Sequence, residues 1–187
     1  MIEFPPDVKL ADLQDTFTHA DLIREVGEMM DTFLALVRDV PDAYVTFVPD
    51  DPEAHDPYAA DERDIRLAWT LGHVIVHVTA SSEEGAARGA MLARGVGVNG
   101  RSRYETPWQT VTTTAQIVHR LAESRRMQLA FLDAWPDAPH LENAFDEAEE
   151  YWGRLNAVGM TLTGLRHASS HVEQVKKIIH QTRAALG

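Results

Sequence analysis

The chain has 187 residues, 44% of them hydrophobic and 25% charged, which suits an ordinary globular domain able to bury a core of its own. It holds no cysteine, which excludes disulfides, thiolate metal sites and a cysteine nucleophile, so any metal must be held by His, Asp or Glu. With 17 basic and 29 acidic residues the net charge is −12; such a surface repels phosphate backbones, and no nucleic-acid role is expected.

The N-terminal stretch has neither a basic region nor an apolar core of the signal-peptide type, and no apolar run approaches the ~20 residues that span a bilayer. The expectation is one domain over residues 1–187, cytoplasmic and without a membrane segment.

Residues 8–40 place Leu10, Leu13, Phe17, Ile23, Met30, Phe33 and Val37 at spacings that predict one long amphipathic helix, stopped by Pro41. Prolines and aspartates mark residues 41–60 as loop. A second helix is expected from near Asp61 toward Ala87, apolar or His on nearly every side over residues 71–78 and therefore buried. The β-branched run Val74-Ile75-Val76 favours a strand, but its flanks and length favour helix. Gly95, Gly97 and Gly100 open another loop. Thr113 and Gln116 have the spacing of a capping box for a third helix over 113–135, halted by Pro136. A fourth helical pattern runs from about Leu141 to Ala185, bent around Gly153 and Gly159. The sum is an all-α, four-helix bundle with long inter-helix loops.

Chemistry enters with two histidine pairs, His73/His77 and His167/His171, each spaced by four residues and each in a helical segment. Random placement would yield roughly 0.4 such pairs, against the two present. Residues at i and i+4 share a helical face, so each pair aims two imidazoles in one direction. On the last helix that face also carries Gly164, Ala168, Val175 and Ile178, opposite Arg166, Glu173, Lys176 and Lys177. An inward imidazole needs a partner or a metal. One histidine of helix two with two of helix four would give a three-nitrogen site with positions left open, the pattern of a catalytic ion. The rival reading keeps the histidines as hydrogen-bonded core groups, and spacing alone does not force the helices together.

Other candidates carry less. The acidic cluster Asp50, Asp51, Glu53, His55 and Asp56 reads as a solvated loop, and Asp146, Glu147, Glu149 and Glu150 as a solvated helix face. Trp69, Trp108, Trp135 and Trp152 read as packing residues. Ser81-Ser82 and Ser169-Ser170 lie near histidines but lack a nucleophile elbow.

Two segments resemble the DinB/YfiT-like metalloprotein superfamily. One is Trp69-Thr-Leu-Gly-His73-Val-Ile-Val-His77 with the Ser-Ser-Glu that follows, similar to that family's tryptophan with a histidine eight residues on. The other is His167-Ala-Ser-Ser-His171-Val-Glu-Gln174-Val175, similar to its His-x-x-x-His-x-x-Gln-Ile helix. Carried over by position, the family's metal triad falls on His77, His167 and His171. His73 takes a place where the family often has Glu or Gln, beside the ligands rather than among them. Ser170 replaces a frequent further histidine, and Val172-Glu173 a common Arg-Gly pair; neither removes a ligand.

The resemblance implies a four-helix bundle holding a divalent ion, most often zinc or nickel, usually as a homodimer. Characterised relatives include transferases and isomerases that use low-molecular-weight thiols such as bacillithiol and mycothiol. The leading expectation is a metal-dependent S-transferase of detoxification or stress response acting on a small molecule, its ion binding the cofactor thiol as thiolate. His73 or Glu84 would orient a ligand or accept a proton. The alternatives are a metal-dependent hydrolase, a non-catalytic metal-binding dimeric stress protein, and a metal-free bundle.

Overall fold

A side-chain oxygen caps the start of each long helix, and those caps decide where the elements lie. The computed structural model describes the chain except residues 1, 3, 6, 57–61 and 148. Along it run α1 (Leu10–Leu13), α2 (His19–Val37), α3 (Asp42–Val45), α4 (Leu71–Ala93), α5 (Thr114–Asp133), α6 (Glu149–Trp152) and α7 (Ala157–Leu186). Thr18 accepts from the Asp21 amide while Asp21 accepts from the Thr18 amide, a capping box that starts α2. Thr70 accepts from the His73 amide at the head of α4, and Asn156 from those of Val158 and Gly159 at the head of α7. Thr113 and Gln116 form the expected box at the head of α5.

Three helix boundaries differ from the sequence expectation. The single helix over 8–40 is two: Phe17 and Thr18 are extended, because the Thr18–Asp21 box satisfies the backbone amides that a continuous helix would have bonded internally. The second helix begins at Leu71, not near Asp61, and runs to Ala93; Asp61 itself lies outside the described residues. The fourth pattern is not one bent helix from Leu141. Gly153 adopts a φ of +78°, a left-handed conformation that favours glycine, and closes the short α6. Phe145 and Leu155 then exchange backbone hydrogen bonds of 2.8 and 2.9 Å before Asn156 starts α7. Gly159 sits within α7 without a break. The loop after Pro41 also contains one short helical turn, α3.

The long helices close a ring in the order α2, α5, α4, α7, each packed on its two neighbours. Leu22, Met29 and Phe33 of α2, Ile75 and Val78 of α4, Ile117 and Leu121 of α5, and Leu162 and Leu165 of α7 meet in one buried core. Each contributes about 1.5–3 kcal/mol on burial. As expected, α4 is buried on almost every side, and the run Val74–Val76 is helical because both its flanks pack against other helices.

Helices α4 and α7 approach most closely where neither has a side chain in the way. A Cβ on Gly164 would lie 2.8 Å from the Ser82 Cα, and one on Gly85 would lie 2.9 Å from the Gly164 amide nitrogen. Gly89 faces Ala157 and Thr161 in the same way. The pairing of later residues on α4 with earlier ones on α7 makes the two antiparallel, and it aligns His77 with His167. Among the described residues no helix is long and apolar enough to cross a membrane.

Candidate metal centre

The tight α4–α7 crossing brings three imidazoles together from two distant parts of the chain. His77 Nε2 lies 3.1 Å from His167 Nε2, which lies 3.4 Å from His171 Nε2. All three offer a nitrogen within 4.8 Å of the others. A ring nitrogen has one in-plane position for a proton or a lone pair, so His167 Nε2 can satisfy only one of its two neighbours by hydrogen bonding. A shared cation satisfies all three lone pairs at once. Tetrahedral coordination at 2.0–2.1 Å places ligand nitrogens roughly 3.3 Å apart, the spacing seen for both contacts. The donor set therefore fits a divalent ion.

Burial prepares these rings for that role. It pushes the pKa of His167 down to about 3, with His171 and His77 adding to the effect, and it also lowers that of His171, partly offset by Gln174. Both rings are thus neutral at pH 7 with lone pairs free for a metal. His171 Nδ1 is fixed by Gln174 Oε1 at 2.7 Å, which directs Nε2 to the centre. His167 Nδ1 is buried without a partner among the described residues.

His73 stands one turn before His77 and outside the cluster of three. The residue is 8% exposed, and its ring stacks between Trp69 at 4.5 Å and Trp108 at 4.8 Å. Burial lowers its pKa to about 4, against the opposing charge of Glu105, whose Oε1 is 4.0 Å from Nε2. Trp69 also packs on His77 and His171, so this tryptophan braces both histidine pairs. Glu84 lies further along α4, in the cleft wall. Its carboxylate accepts from the Ser102 amide at 2.9 Å and pairs with Arg101 at 3.4 Å, tying the loop after α4 to the helix.

That loop delivers two residues the sequence pattern did not single out. Arg103 Nη2 lies 2.7 Å from His77 Nδ1 and donates to the His77 carbonyl at 3.3 Å. Glu105 Oε2 lies 3.4 Å from the same Nδ1 and is ion-paired with Arg103. Burial opposes the charge on Glu105, but the bond to His77 and the Arg103 charge prevail and hold its pKa at about 2. No periodic spacing marks either residue; only the packing of the loop across α4 places them at the histidine.

His77 and His167 line a cleft of about 890 Å³. Trp69, Trp108, Phe145 and Trp152 supply its aromatic walls, and Arg88, Arg101 and Arg103 its positive charge. The acidic cluster after α3 is divided: Asp50 bonds with Gln181 and Asp51 pairs with Lys177 at 3.4 Å on α7, whereas His55 and Asp56 line the cleft. Ser81 lies in the cleft wall, whereas Ser170 bonds back to the His167 carbonyl at 2.7 Å on the exposed side of α7.

No curated protein and no solved structure matched the chain. The family model of the DinB superfamily matches residues 25–175, a span that includes all four long helices or most of each, and both histidine pairs. The all-α ring of helices and the three converging imidazoles agree with that match: the chain belongs to the DinB superfamily.

Proposed function

We propose that this protein is a metal-dependent S-transferase that joins a low-molecular-weight thiol to a small electrophile in detoxification or stress response. His77, His167 and His171 hold the ion, zinc or nickel. The observation that carries this reading is the convergence of three imidazole nitrogens, two of them contributed by histidines that line the cleft. When bound, such an ion supplies the positive charge that brings the pKa of a thiol or water toward neutrality.

The chain's own residues support the rest. It has no cysteine, so a reacting thiol must arrive as a second molecule. Of the arginines in the cleft wall, Arg101 pairs with Glu84, Arg103 pairs with Glu105 and Arg88 lies over the Phe145 ring, while the tryptophan and phenylalanine walls suit an apolar electrophile and exclude water around it. His73, held between Trp69 and Trp108 one turn before His77, would orient a bound ligand, and Glu84 holds the loop whose Arg101, Arg103 and Glu105 line the cleft. The same reading expects a homodimer, which light scattering tests.

The decisive assay incubates metal-loaded protein with a panel of small thiols and a reporter electrophile, with and without a chelator. Thiol-dependent conjugation that the chelator abolishes supports the proposal. Turnover of an ester or amide without any thiol assigns the protein to metal-dependent hydrolysis. Stoichiometric metal with no turnover in either assay leaves a binding protein.

A further inference from the structure

Two charged side chains from one loop compete for a single nitrogen. Both Arg103 Nη2, at 2.7 Å, and Glu105 Oε2, at 3.4 Å, approach Nδ1 of His77. Their demands on that atom are opposite. A guanidinium can only donate, so against Arg103 the nitrogen must present a lone pair, which puts the ring's one proton on Nε2. A carboxylate can only accept, so against Glu105 the nitrogen must carry the proton, which leaves Nε2 free. An ion held at Nε2 requires the second arrangement.

We propose that Glu105 is a positioning residue for the metal centre: it selects the Nδ1–H form of His77, and Arg103 selects the form that does not bind metal. The inference rests on the reading that His77, His167 and His171 hold a divalent ion. In the structure the ring lies nearer Arg103, with Glu105 paired to that same arginine. Loading the centre therefore exchanges the nearer partner for the farther one. The Arg103 guanidinium, repelled by the proton on Nδ1, then keeps only its contacts to the His77 carbonyl and Glu105. The loop is held independently by Glu84, which bonds Ser102, and by Arg88, which bonds the Gly100 carbonyl, so the exchange needs only side-chain rotation.

A structural ion pair predicts the same effect from losing either member; the proposal predicts effects of opposite sense. Zinc affinity is measured by competition with a chromophoric chelator for the full-length wild type, E105A, E105Q and R103A, with the melting temperature of each metal-free form recorded alongside. E105A is expected to bind zinc about 10- to 100-fold more weakly, the range for losing the partner of a ligating histidine. E105Q keeps the shape and an acceptor oxygen and is expected to lie between E105A and wild type. R103A is expected to bind more tightly than wild type. Should E105A fail to fold, E105Q and R103A still diverge in direction. Nitrogen NMR of the loaded wild type is expected to place the His77 proton on Nδ1. Equal affinities for wild type, E105A and E105Q, or a loss in R103A matching that in E105A, would overturn the proposal. A wild type that binds no zinc or nickel would instead remove the triad reading on which it stands.

Discussion

His77 and His167 are separated by 90 positions in the chain, yet their Nε2 atoms stand 3.1 Å apart across the α4–α7 crossing. The contact depends on two conditions: each histidine must face inward on its own helix, and glycines must let the helices close. Substitutions therefore divide into those that remove a ligand and those that move the helices.

Removing a ligand should abolish stoichiometric metal without unfolding the bundle. H77A, H167A and H171A are each expected to lose the ion, whereas H73A, whose ring sits between Trp69 and Trp108 outside the cluster, should keep it. Elemental analysis of untagged protein reads the difference. Full metal content in H77A would remove that residue from the site.

Moving the helices should weaken both fold and site. In G164A the new methyl carbon would meet the Ser82 backbone at 2.8 Å, and neither backbone can rotate away. Overpacking of this kind costs about 1–3 kcal/mol. Denaturant unfolding measures that loss, and zinc affinity should fall with it because the His77–His167 distance widens. A conservative change on the opposite face of α7, such as K176R, should do neither.

The metal-free protein should lose stability as the pH drops. Burial holds His167 at about 3 and His73 at about 4, against 6.5 for a free imidazole. Between these values the unfolded chain binds protons that the folded chain does not, so stability rises with pH across that window. The expected melting temperature of chelator-treated protein is therefore lower at pH 5 than at pH 7, and H73N should flatten the slope. A melting temperature that rises on acidification would contradict the buried, neutral histidines.

Metal should raise thermal stability by mass action. At a free ion concentration of 100 times the Kd the gain is about 2.7 kcal/mol, which for a chain of this size is roughly 5–10 °C. Differential scanning calorimetry with added zinc, then with excess chelator, should show the rise and its reversal.

Much of this site is legible in the amino-acid sequence. The four-residue spacing of each histidine pair and the apolar company of His167 and His171 gave the inward faces, and Trp69 marked the first segment. The Thr113–Gln116 box gave the start of α5. The Thr18–Asp21 box lies within an apolar spacing that continues through Phe17, and that spacing conceals the break. Gly153 reads in the sequence as a bend, because a left-handed turn and a kink share the same residue type. Arg103 and Glu105 could not be found this way. They lie in a loop without periodicity, and their importance comes from which nitrogen the folded loop places them against.

The most direct test is a crystal structure of zinc-loaded protein with diffraction recorded at the zinc absorption edge. One anomalous peak is predicted per chain, about 2.0–2.1 Å from Nε2 of His77, His167 and His171. Clear density for the three rings, hydrogen-bonded to one another or to water with no anomalous peak between them, would contradict the account.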